Sequence, residues 1–175
     1  MDIDQLDAII DKFMDYARPG ETQLHRVQVT QIIDREAAPF RDPAQIRITS
    51  RVTDDLEVMA DETELGRVFL NLFENARRYG RGTYTGIADV TVSFVKTGPW
   101  AIVSVRDHGP GVANEKLPQL TTPFFRGDAA RTAATGAGLG LAIVDKSMQR
   151  MGGSLELANA PDGGFIAHLR LQRAP

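Results

Sequence analysis

The sequence contains no cysteine. That excludes disulfides and thiolate metal centres and is compatible with a reducing compartment. An excess of one charge is also lacking. The net charge is −3 over 175 residues, which gives no general electrostatic reason to bind nucleic acid or an acidic membrane. No apolar run approaches the ~20 residues of a membrane span, and no signal peptide is recognisable, so the chain as given is expected to be soluble. What is present is 42% apolar residues, enough for a core, in a length that suits one ordinary domain with a short appendage.

Glycine is concentrated in Thr135-Gly-Ala-Gly-Leu-Gly-Leu-Ala-Ile-Val144, where Gly136, Gly138 and Gly140 alternate ahead of a helical apolar run. Such glycines let backbone N–H groups approach a ligand, and the following helix points its positive end at them, which makes an anion site. A plain turn is the competing reading. Two familiar phosphate loops do not fit: Gly140 is followed by Leu141 and Ala142 rather than Lys-Ser/Thr, and Arg126 to Ala134 does not resemble the strand that a dinucleotide fingerprint requires.

Ile3, Leu6, Ile10, Phe13 and Ala17 form a heptad seam, which is expected to face a partner helix. Pro19-Gly20 ends it, and residues 19–28 read as a linker. A helix is expected from Val29 to Phe40, strands over 45–52 and 56–60, and a long helix from Glu62 to Tyr79 with the stripe Leu65, Val68, Phe69, Leu72, Phe73, Ala76. Asp61 is a candidate N-cap with Glu64 completing a capping box, and Gly80 is a candidate stop. Strands follow at 88–96 and 100–106, then Asp107-His-Gly-Pro-Gly-Val112, a short helix near 114–117, the glycine-started helix to Met151, and strands at 154–158 and 165–171. This order predicts an α+β fold: a two-layer α/β sandwich with a mixed, largely antiparallel sheet covered on one face by helices.

Asn71, Asn75 and Arg78 share one face of the long helix. They read either as a solvated flank or as a site for a metal ion and phosphates. Asp107 ends a strand before Gly109 and Gly111. It reads either as a turn residue or as a hydrogen-bond acceptor in a pocket.

Taken in order, Asn71-x3-Asn75, Asp107-x-Gly109-x-Gly111 and Gly136-x-Gly138-x-Gly140 resemble the ATP-binding domain of sensor histidine kinases. The closest likeness is to the osmosensor (EnvZ-like) type, through Asn75-Ala-Arg-Arg-Tyr-Gly80, Phe124-Phe-Arg-Gly-Asp128 and Ala130-Arg-Thr132. The superfamily is shared with chaperone, topoisomerase and mismatch-repair ATPases. The resemblance implies a Bergerat-type ATP-binding fold over 29–173, with residues 1–18 as the end of the second helix of a dimerisation and histidine-phosphotransfer hairpin. It implies ATP and Mg²⁺ as cofactors, with Asn75 the magnesium ligand, Arg78 a phosphate contact and Tyr79 beside the adenine. Asp107 would accept from the adenine amino group, in a pocket shaped by Gly109 and Gly111. Gly136, Gly138, Leu139 and Gly140 would line the phosphates, and Arg126 and Arg131 would reach from a mobile lid to the γ-phosphate. Asn71 stands where hydrolytic relatives carry a catalytic glutamate. The implied partners are the histidine-bearing hairpin, dimeric in the intact kinase, and a response regulator. The implied location is cytoplasmic, with the intact kinase anchored in the inner membrane through other segments.

Two departures from the family pattern stand out. Thr121 occupies the first position of a usual phenylalanine pair whose second member is Phe124. None of His25, His108 and His168 lies in the pattern of a phosphate-accepting histidine, so the chain reads as a catalytic half without its acceptor. A hydrolytic ATPase of the same superfamily and a degenerate binding module are the alternatives, and Glu74 is a second candidate base for the former.

Overall fold

The computed structural model describes residues 3–17, 21–123 and 139–175. The chain runs α1 (Ile3–Ala17), β1 (His25–Gln28), α2 (Val29–Ala37), β2 (Ile46–Ser50), β3 (Glu57–Ala60), α3 (Glu62–Tyr79), β4 (Ala88–Thr97) and β5 (Trp100–Arg106). A short 3-10 helix (Asn114–Gln119), α4 (Gly140–Arg150), β6 (Ser154–Asn159) and β7 (Phe165–Gln172) complete it.

Alternation sets the sheet. Val90 and Val92 of β4, Ala101, Val103 and Val105 of β5, and Ala167, Leu169 and Leu171 of β7 are buried on one face, as period-2 patterning requires. The strand order is β2-β4-β5-β7-β6. Only β2–β4 is parallel and the other three pairs are antiparallel. Helices α2, α3 and α4 cover the buried face, with all six residues of the α3 stripe inside the core. The expected α+β sandwich is therefore the observed architecture.

The differences are local. Residues 25–28, expected to be linker, form β1, which pairs antiparallel with β3. Asp61 caps α3 through Thr63 N and Glu64 N at 3.0 and 3.1 Å. Glu64 does not complete the capping box. It turns inward, 7% exposed, towards Arg67 and Arg150 at 3.5 and 3.6 Å, because burial beside two guanidiniums outcompetes a solvent-facing bond to the backbone. Gly80 ends α3 at φ −100 rather than in the left-handed region. Its small size serves a close approach instead.

Helix α1 is amphipathic on two sides. The seam Ile3, Leu6, Ile10 and Phe13 is exposed, joined by Met14. Ile9 and Tyr16, on the opposite side, pack against buried Leu139 and Ile143 at the start of α4.

Candidate functional site

Asp107 emerges from β5 into the core and is 5% exposed. Its Oδ1 accepts from Gly109 N at 2.9 Å and Phe165 N at 3.0 Å. Burial pushes its pKa up, and those two backbone donors oppose the shift without reversing it. Oδ2 accepts no bond from the described residues and faces Gly80, where an added Cβ would sit 2.5 Å away. The surrounding walls are backbone at closest approach. A Cβ on Gly109 would meet the Gly80 backbone at 2.6 Å, and one on Gly164, at φ +101, would meet the Asp107 carbonyl oxygen at 2.1 Å. Asn159 holds the next turn, accepting from Val112 N at 2.9 Å and donating to Asn114 Oδ1 at 2.8 Å. A buried carboxylate with one oxygen doubly held and the other uncommitted can accept from one outside donor, such as an exocyclic amine.

Along α3 the polar face continues away from this pocket. Tyr79 is half-buried in the last turn. Arg78 pairs through Nε with Glu74 at 2.8 Å, and Arg77 pairs with the same carboxylate. Burial alone would raise the Glu74 pKa, but the bonds from Arg77 and Arg78 outweigh it and hold the carboxyl below its usual value. Glu74 is thus committed to two cations and is not a free base. Asn75 is half-buried, and among the described residues its amide has no hydrogen-bond partner. Asn71 is 4% exposed, with Nδ2 donating to Arg67 O at 2.8 Å and Oδ1 accepting from Lys12 Nζ at 2.8 Å. An amide so held has no basic atom to offer a water.

Gly140 opens α4 beside Asn71, and a Cβ there would lie 3.5 Å from Asn71 Oδ1. No side chain caps this helix, and its first internal bond runs from Ile143 N to Leu139 O at 2.8 Å. The first-turn amides of α4 therefore have no internal acceptor, a setting that suits an anion. The Leu139 side chain is 1% exposed inside the α1 contact, which leaves only its backbone for a ligand.

The structure therefore brings Asp107 and Gly109 against Gly80 at the end of α3 and Gly140 against Asn71 nearer its start, with Asn75, Arg78 and Tyr79 between them along α3. Arg126, Arg131, Gly136, Gly138 and Phe124, with most of the expected lid, lie outside the described residues. Among the described residues no three acidic or histidine side chains converge on a metal-sized site.

Residues 60–175 match the family described as histidine kinase-, DNA gyrase B- and HSP90-like ATPase. The chain belongs to that family. It is 34% identical over 171 residues to a probable sensor histidine kinase HK of Mycobacterium tuberculosis (strain CDC 1551 / Oshkosh), covering 95% of this chain and 43% of the relative. It is 40% identical over 124 residues to the sensor histidine kinase component HK1 of Mycobacterium tuberculosis (strain ATCC 25618 / H37Rv), covering 71% and 68%. Among solved structures, the mycobacterial sensor histidine kinase MprB superposes with a TM-score of 0.72 at 29% identity, over 87% of this chain and 99% of that one. This chain thus corresponds to the ATPase-like domain of sensor histidine kinases, and it spans less than half of the first relative's length.

Several positions of this kinase domain were not legible as site residues in the sequence. Gly80, Gly164, Asn159 and the Phe165 amide build the Asp107 pocket, and Lys12 reaches Asn71 from α1. The Gly163-Gly164 pair carries the chain from β6 to β7 at positive φ values of 106 and 101. Its second glycine also makes room for Asp107, which only the fold reveals. Among the described residues no helix is long and apolar enough to cross a membrane.

Proposed function

We propose that this domain binds ATP with Mg²⁺ and transfers the γ-phosphoryl group to a histidine on a hairpin outside the sequence given, whose second helix ends in α1. The observation that carries this reading is Asp107: a buried, backbone-clamped carboxylate with one free oxygen in a glycine-walled pocket. It selects a ring bearing an amino group over one bearing a carbonyl at the same place. Asn75 would hold Mg²⁺, whose chemistry is to neutralise charge on the phosphates and orient them. Arg78, bound only through Nε among the described residues, has terminal nitrogens left for a phosphate oxygen.

The domain's own part in transfer is positioning and charge. Asp107 fixes the base, the glycines admit the backbone, and the uncapped amides of α4 face the anionic end. Asn71, with both amide groups engaged, orients rather than deprotonates, which favours transfer over hydrolysis. None of the three histidines is a suitable acceptor. His108 bonds Asp89 O at 3.0 Å beside the base pocket, His168 bonds Ser104 Oγ at 2.7 Å within the sheet, and His25 is exposed on β1. In the intact kinase the exposed seam of α1 would meet the dimeric hairpin, the phosphohistidine would pass its group to a response regulator, and segments outside this chain would supply the membrane anchor.

Calorimetry with ATP and GTP, followed by phosphotransfer to an added hairpin, tests the reading. ATP should bind with GTP undetectable at the same concentrations. The chain alone should acquire no acid-labile phosphate, while a separate histidine-bearing hairpin should. Equal ATP and GTP affinities, self-labelling, or brisk hydrolysis with Asn71 intact would overturn it.

A further inference from the structure

Lys12 lies at the centre of the α1 docking face. On either side of it, Ile9 and Tyr16 pack against Leu139 and Ile143. Asp15 pairs with Arg67 at 3.6 Å, and Arg150 donates to Tyr16 O at 2.8 Å. The Lys146 ammonium stands 5.7 Å over the Tyr16 ring. The Lys12 ammonium is held at 2.8 Å from Asn71 Oδ1, and burial is the main cause that lowers its pKa. Glu74 and Asp15 favour its charge and Arg78 opposes it. Both carboxylates are already engaged, Glu74 with Arg77 and Arg78 and Asp15 with Arg67. An ammonium has three donors, and a single hydrogen bond of Lys12 is made among the described residues.

The same Asn71 oxygen borders Gly140, the first residue of uncapped α4. A half-buried ammonium and a helix N-terminus thus meet at Asn71, the Arg78 guanidinium lies near enough to oppose the charge of Lys12, and no uncommitted carboxylate stands among them. Their mutual repulsion is relieved by an anion between them. Position along α3 says which part of a nucleotide that anion is. Asp107 meets Gly80 at the end of the helix, and Asn71 lies nine residues earlier, roughly 14 Å at the rise of an α-helix. A nucleotide whose base meets Asp107 beside Gly80 extends along α3 and reaches Asn71 with the far end of its phosphate chain.

We infer that Lys12 is a binding residue for the terminal phosphate of ATP, contributed by α1 to the cleft. The inference rests on the ATP reading above. By linkage, a contact made to ATP and not to ADP makes α1 dock more tightly when ATP is bound. The helix thereby distinguishes the loaded domain from the spent one.

The test is calorimetry on the full chain with ATP and with ADP, each with Mg²⁺. Lys12→Met keeps the apolar stem and should weaken ATP about tenfold while changing ADP less than about twofold, as expected for one charge-assisted contact. Lys12→Arg should recover most of the loss. Asp15→Asn loosens the same docking face without touching a phosphate and should leave the ATP-to-ADP ratio unchanged. Equal weakening of both nucleotides by Lys12→Met, no effect on either, or an Asp15→Asn change in the ratio as large as that of Lys12→Met would overturn the inference. A wild-type chain that bound neither nucleotide would instead overturn the ATP reading, and the inference with it.

Discussion

Around Asp107 the cleft wall is backbone, whereas around Asn71 it is made of long side chains and a helix end. The base pocket is closed by Gly80, Gly109 and Gly164, each of which leaves no room for a methyl group. Its hydrogen bonds come from main-chain amides. The proposed phosphate end is bordered by Lys12, Asn71, Arg78 and Gly140, and the Lys12–Asn71 bond at 2.8 Å joins residues on separate helices. Shape decides at one end and charge at the other. On the proposed reading, a fixed backbone would select a flat ring by excluding what does not fit, while side chains with rotamer freedom would follow a phosphate that arrives, reacts and leaves.

The largest effect should come from filling the backbone wall. Gly164→Ala sets a methyl against the Asp107 carbonyl at a positive φ, and we expect a loss of roughly 2–4 kcal/mol in stability together with loss of nucleotide binding, read by urea unfolding and calorimetry. A variant of wild-type stability would mean that the wall gives way, and the contrast between the two ends would disappear.

Next comes Asp107→Asn, which should weaken ATP about tenfold or more with no loss of thermal stability at neutral pH. The sign follows from the raised pKa. The fold disfavours the ionised carboxyl, so the stability associated with Asp107 is present at low pH and lost as pH rises from the unfolded pKa through the folded one. Removing the charge removes that penalty. In the wild type, ATP affinity should fall on acidification while ordinary carboxylates are still ionised, because protonated Asp107 ceases to be a charged acceptor. A pH-independent ATP affinity down to the ordinary carboxylate range would show that Asp107 is not the acceptor.

The smallest and most conditional effect belongs to the charged end. Asn75→Ala should weaken ATP about tenfold with Mg²⁺ and less than about twofold in EDTA, because the backbone pocket still holds the base. The same loss in both conditions would make Asn75 a packing residue and erase its assignment to the cation.

Much of this was legible locally. The α3 stripe, the alternating strands and the Asp61 cap follow from periodicities within one element, and Asn75 and Asp107 stand in short ordered motifs. What was not legible depends on distant partners. Phe165 N reaches Asp107 across 58 positions and Lys12 reaches Asn71 across 59, and neither pairing leaves a local pattern. Gly80 was read through backbone torsion when space was its reason. Glu64 was read as a capping residue because Arg150, its buried partner, lies on another helix. The seam of α1 was visible as apolar spacing, but the docking of its other side depends on Leu139 and Ile143.

Strand β7 lies between β5 and β6 in the sheet, yet it is the last of the strands in the chain. Its first residue, Phe165, supplies one of the two amides that clamp Asp107. During synthesis the helices and first six strands can emerge while β5 still presents an open edge and the clamp is half made. The second amide of the Asp107 clamp therefore arrives only when residues 165–172 join the sheet beside β5. A nascent chain halted before that point would expose a sticky strand without being able to take up ATP.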